Sequence, residues 1–189
     1  MSNYIGNCSH VLDWNNFLSN LDQGITKFGD PWKWVNPLSD PNFPITPDMK
    51  SYVNSTVERL GHNFNYSSTL WHIYRPNEHF ANEVVSALST HLNITPTMAN
   101  AYRVEPGCNC PIHIDPQDKT DNRWNKLKRY TWQINQSSIG QVLIIGNHAL
   151  HMLTPCDMYE WDSVDELHAA TNCGPDTAYY FLIEGYLND

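Results

Sequence analysis

The stretch TMANAYRVEPGCNCPIHIDP, residues 97–116, is where the chain changes character. Its first eight residues mix apolar, aromatic and β-favouring side chains as a strand does. Pro106-Gly107 then supplies a turn, and the residues after it run extended to His113 and Asp115. Toward the C terminus further short β-rich runs follow at 129–135, 141–145, 158–161 and 178–185, punctuated by Gly140, Gly146, Pro155, Gly174 and Pro175. Turns at such short intervals predict an antiparallel sandwich or small barrel rather than βαβ units.

Toward the N terminus the periodicity becomes helical. Val11, Trp14, Phe17, Leu18 and Leu21 recur at helix spacing and predict a helix over 10–22. Thr46-Pro47 reads as an N-cap and first-turn proline opening a helix to about residue 60. Phe80, Val84, Val85, Leu88 and Leu92 form one face of a helix expected over 77–92. Residues 29–47 carry Pro31, Pro37, Pro41, Pro44 and Pro47 with Trp32, Trp34 and Phe43, the pattern of a long aromatic-anchored loop. The fold class is therefore α+β, with helices packed on a β-core. One domain is expected over 1–189, helical and loop-rich over 1–95 and β over 96–189.

Composition narrows the function. The chain has 189 residues, 11 Lys plus Arg against 20 Asp plus Glu, and a formal charge of −9, with no basic stripe to track a phosphate backbone, so nucleic-acid binding is disfavoured. An apolar fraction of 41% with 7 Trp, 10 Tyr and 6 Phe can fill a core. No run approaches the roughly 18 to 20 apolar residues of a membrane span. The start, MSNYIGNCSHVLDW, lacks a signal-peptide pattern, so a soluble, cytoplasmic protein is expected. Cys8, Cys108, Cys110, Cys156 and Cys173 are odd in number and form no CxxC, which fits free thiols. Nucleotide loops and the Gly-x-Ser-x-Gly elbow are absent.

The chemistry concentrates at His113-Ile114-Asp115. On an extended strand an imidazole and a carboxylate two residues apart point to one face. Together with a distant second histidine they make the facial triad that binds iron(II) and leaves positions open. Nine His among 20 acids in 189 residues would give about one such His-x-acid by accident, so context decides. His168, ahead of the last aromatic strand, is the natural third ligand. Cys108 and Cys110 beside His113 are the alternative, a thiolate site that would select zinc.

With these residues in view the chain resembles the iron(II)/2-oxoglutarate dioxygenases, in particular the aspartyl/asparaginyl β-hydroxylase-like branch. The resemblance spans about 97–187 and rests on 101–107 (AYRVEPG), 111–115 (PIHID), Arg129 and 168–172 (HAATN). It implies a double-stranded β-helix (cupin/jelly-roll) core with the N-terminal helices on one face. It also implies one Fe(II) held by His113, Asp115 and His168, 2-oxoglutarate as co-substrate, O2, and hydroxylation of a peptide, protein or small-molecule substrate. One departure stands out: no Lys or Arg follows Arg129, and residues 178–180 read Ala-Tyr-Tyr where the family places an arginine. If 2-oxoglutarate binds, its distal carboxylate then falls first to Arg129 and next to Arg103, with Tyr130, Tyr180 and Asn172 as added contacts. The rivals are a non-catalytic cupin-like metal- or partner-binding module, and a cupin metal enzyme that does not use 2-oxoglutarate and draws on His148 or His151.

Overall fold

A computed structural model describes residues 3–22, 32–34, 68–74, 82–113, 124–161 and 166–189. Its elements are β1 (Asn3–Asn7), α1 (Trp14–Asp22), β2 (Trp32–Trp34), β3 (Ser68–Tyr74), α2 (Asn82–Leu92), β4 (Ile94–Val104), β5 (Cys108–His113), β6 (Leu127–Gln133), β7 (Gln141–Ile145), β8 (His148–His151), β9 (Asp157–Glu160), β10 (His168–Asn172) and β11 (Ala178–Leu187). The helix expected over 47–60 lies outside the described residues.

The strands form two antiparallel sheets. One runs β1-β9-β6-β11-β4-β3-β2 and the other β5-β10-β7-β8. From β4 onward the chain steps between them: β4, β6, β9 and β11 belong to the large sheet, β5, β7, β8 and β10 to the small one. Among these eight strands, sheet neighbours are thus non-consecutive in the chain, apart from the β7–β8 hairpin. This winding is the double-stranded β-helix, or jelly roll.

Strand alternation sorts side chains into two apolar layers. In β11, Ala178, Tyr180 and Leu182 enter a cluster shared with the small sheet, alongside Leu143, Ile145 and Ala170. Phe181 and Ile183 point the other way, into a cluster with Trp14, Phe17 and Leu21 of α1 and Val84, Val85 and Leu88 of α2. A strand covered on both sides carries a nearly continuous apolar run, which explains the residues AYYFLIEG. The α1 contact is aromatic: the Trp14 ring lies 5.6 Å from Trp132 and 5.8 Å from Phe181, which itself stacks on Trp132 at 5.0 Å.

Local chemistry sets the boundaries. The Asp13 side chain accepts the Asn16 amide at 3.1 Å, an N-cap that starts α1 at Trp14, later than the expected residue 10. α2 ends at Leu92 because Asn93 turns left-handed at φ 53°. Trp32–Trp34, expected in a loop, instead pairs antiparallel with residues 68–70 of β3. Three residues are too few for alternation to show. Among the described residues no helix is long and apolar enough to cross a membrane.

Gly140 opens β7 at φ +93°, and a Cβ there would meet the Cys173 carbonyl carbon and Gly174 nitrogen at 2.7 Å. Gly140→Ala is therefore expected to cost about 1–3 kcal/mol, read as a lower urea midpoint with unchanged slope. A loss below a few tenths would show that the turn relaxes freely.

Candidate functional site

β5 is an edge strand of the small sheet, and β10 is its neighbour. Their register pairs His168 with His113 and Ala170 with Cys110, so β5 advances three residues while β10 advances two. The extra residue falls at 111–112, where Pro111 has no amide to donate; prolines in sheets collect at such bulges and edges. The bulge brings the backbone of His113, the last residue of β5, opposite His168, the first of β10. Paired positions of this kind lie about 4.5–5.5 Å apart at Cα. Asp115 lies outside the described residues.

His168 is buried, and its Nδ1 lies 3.2 Å from the Glu166 carbonyl oxygen. A carbonyl only accepts, so Nδ1 carries a proton, which in the neutral imidazole leaves the lone pair on Nε2. Metal-ligating histidines are oriented in the same way. One face of the imidazole packs on Trp161, with ring centroids 4.5 Å apart. The Arg129 guanidinium lies 5.3 Å from the centre of the Trp161 ring.

Arg129 and Glu184 face each other across β6 and β11, and Arg129 Nε reaches Glu184 Oε2 at 2.6 Å. The other Glu184 oxygen accepts from the Thr97 hydroxyl at 2.7 Å. Arg129 is only 1% exposed. The first-choice anchor for a ligand carboxylate thus already holds a carboxylate of this chain. The other described basic side chains are engaged as well: Arg103 with Glu105 at 2.8 Å, Lys126 with Asp189 and Lys128 with Glu160.

Between the sheets, against His168, is a small and mostly apolar cavity of about 40 Å³, lined by Trp161, Tyr180, Thr131, Leu143 and Ala170 among others. Trp161 and Tyr180 are each 2% exposed, and among the described residues Trp161 Nε1 and the Tyr180 hydroxyl have no hydrogen-bond partner. Burial pushes the Tyr180 phenol well above its ordinary value, so it remains a neutral donor.

Strand alternation and local bonding engage three of the expected co-substrate contacts away from this cavity. Arg103 shares the helix-side phase of β4 with Ala99 and Ala101, and it pairs with Glu105. Tyr130 belongs to the helix-side cluster, where burial and then the Glu160 carboxylate push its phenol up to about 12. Asn172 is fully buried. Its Nδ2 donates to the carbonyls of Val104 and Asp176, both at 2.8 Å, and its Oδ1 accepts from the Gly174 amide, so it fastens the β10–β11 turn. Tyr180 alone among the expected added contacts reaches the cavity.

Cys108 and Cys110 are buried in the inter-sheet cluster, and Cys110 also lines the cavity. His148 shares a row of the small sheet with His168 but lies beyond Ile145, two strands away, or about 10 Å. His151 is exposed at the far end of β8. Among the described residues, which do not include Asp115, no three His, Cys, Asp or Glu side chains gather closely enough to hold a metal. Sequence reasoning missed Glu184, although one acid in an otherwise apolar final strand signals a buried partner.

The sequence matches no family model, and no curated protein matches it significantly. Among solved structures the chain is similar to the viral collagen prolyl hydroxylase vCPH of Paramecium Bursaria Chlorella virus-1, at TM-score 0.48 and 8% identity over 100% of this chain and 96% of that one. It is also similar to a Pseudomonas putida prolyl-4-hydroxylase, at 0.40 and 10% over 93% and 100%. A third is a predicted oxalate decarboxylase of Thermotoga maritima, at 0.41 and 12% over 65% and 84%. At these identities and scores none of the three decides the chemistry. The chain's own strand order makes it a β-protein of the cupin, double-stranded β-helix kind.

Proposed function

We propose that this chain is an iron(II)- and 2-oxoglutarate-dependent oxygenase that hydroxylates an unactivated carbon. The observation that carries this reading is the β5–β10 register, which sets residue 113 opposite residue 168, together with the tethered, buried imidazole of His168. Asp115, two residues beyond His113, completes the donor set: two borderline nitrogens and one hard oxygen, the combination suited to iron(II) with open positions. When such a site is loaded it supplies oxygen-dependent hydroxylation, coupled to conversion of 2-oxoglutarate to succinate and carbon dioxide.

The chain's own residues orient ligands and exclude water. The Glu166 carbonyl and the Trp161 face hold His168 in one rotamer and one tautomer. Leu143, Ala170 and Leu182 keep the inner cavity apolar, and the Trp161 and Tyr180 side chains that also line it each carry a buried donor without a partner among the described residues. The resemblance of 101–107 and 168–172 to the aspartyl/asparaginyl branch favours a peptide or protein side chain as substrate, with a small metabolite as the other option.

One observation favours a second reading. The Arg129–Glu184 pair engages the expected carboxylate anchor within the chain, which supports a metal-binding cupin module that does not use 2-oxoglutarate. Succinate release separates the two. The wild-type chain with added iron(II) is expected to turn over 2-oxoglutarate slowly without substrate, and Asp115→Ala to abolish that turnover. Metal binding with no interaction with 2-oxoglutarate would exclude the oxygenase and leave the module.

A further inference from the structure

We infer that the cavity beside His168 receives its ligand through neutral donors, so that the 2-oxo acid it admits need not carry a charged far end. This rests on the proposed oxygenase reading and specifies its co-substrate. Buried N–H and O–H groups are almost always partnered in folded proteins. Here two of them, Trp161 Nε1 and the Tyr180 hydroxyl, belong to side chains lining one cavity and have no partner among the described residues. The indole N–H can only donate, and the phenol readily does so. What would satisfy both is an acceptor oxygen entering between the sheets.

The charge of that oxygen follows from the surroundings. Arg129, the one described cation beside Trp161, is matched by Glu184, and the other three described basic side chains are matched by their own carboxylates. Leu143, Ala170 and Leu182 are among the cavity's walls, and no described Lys or Arg is. A carboxylate at the far end of the ligand would lose its water without gaining a protein counter-ion among the described residues, which is the costly way to bury a charge. An amide or other uncharged carbonyl would accept the same two hydrogen bonds and surrender less hydration. The cavity volume of about 40 Å³ suits a terminal group of that size. The formal charge of −9 offers no long-range attraction to a dianion.

The test is calorimetric titration of the full chain loaded with manganese(II), without oxygen. The ligands are 2-oxoglutarate, its 5-amide 2-oxoglutaramate, and 2-oxopentanoate, which lacks the terminal acceptor. The first two are expected to bind within about tenfold of each other, and 2-oxopentanoate about tenfold more weakly than either. Tyr180→Phe, with circular dichroism confirming the fold, should weaken both acceptor-bearing ligands alike and leave 2-oxopentanoate unchanged. Glu184→Gln takes the Glu184 charge from Arg129 and should tilt preference toward 2-oxoglutarate by about tenfold; no tilt would overturn the argument from charge cancellation. A preference of the wild-type chain for 2-oxoglutarate of about a hundredfold or more would overturn the neutral anchor while leaving the oxygenase reading intact. Manganese binding with no affinity for any of the three would overturn both.

Discussion

His168→Ala is expected to weaken iron(II) binding by more than about a hundredfold while β10 stays in place. Changes to groups that merely support a metal ligand already cost about 10- to 100-fold in affinity, so loss of a ligand itself should exceed that range. The imidazole is prepared for the role, with Nδ1 held at 3.2 Å from the Glu166 carbonyl and one face against Trp161 at 4.5 Å. β10 does not depend on it for position, because residues 168–172 are in register with β7 along their whole length and with β5 on the other side. Calorimetry with iron(II) under anaerobic conditions measures the loss, and His113→Ala should reproduce it. Unchanged affinity in His168→Ala would remove this residue from the metal site.

The second large effect is one of stability. Glu184→Ala leaves the Arg129 guanidinium 1% exposed without its carboxylate, and breaking one side of a buried pair costs about 3–5 kcal/mol. For a chain of this size that is a fall in melting temperature of roughly 10 °C. Arg129→Ala should be nearly as damaging, since it takes the guanidinium from a buried Glu184 that keeps the Thr97 hydroxyl at 2.7 Å. The double variant Arg129→Met, Glu184→Leu should recover most of the loss, because exchanging a whole buried pair for apolar residues of similar volume is often neutral. Urea midpoints for the four proteins decide it. A single-variant loss under about 1 kcal/mol would place the pair in a wet, weakly coupled environment.

The strands legible in the sequence were those with one apolar face or two. β4, β6, β7, β9 and β11 pack against the helices, the small sheet or both, so burial writes itself into alternation or into an unbroken apolar run. β1 reads Asn-Tyr-Ile-Gly-Asn and is largely exposed at the edge of the large sheet, where no pattern is required. β2 and β8 have three and four residues, too short for periodicity. Within the candidate site, residues 113 and 168 stood out by type and spacing. That they share a register could not be read, because it depends on a one-residue bulge at Pro111-Ile112. Arg129 was legible as the last cation in the chain but not as Glu184's partner, a pairing set by the β6–β11 register across 55 residues. The unpartnered donors of Trp161 and Tyr180 have no sequence signature, since being unpartnered belongs to the packed state.

X-ray absorption of the metal-loaded chain tests the central claim most directly, with zinc(II) as a redox-inert stand-in. A first shell of nitrogen and oxygen at about 2.0–2.2 Å with the multiple scattering of two imidazoles, falling to one in His168→Ala, is the predicted result. A sulfur shell at about 2.3 Å, or a two-imidazole signal that survives His168→Ala, would contradict it.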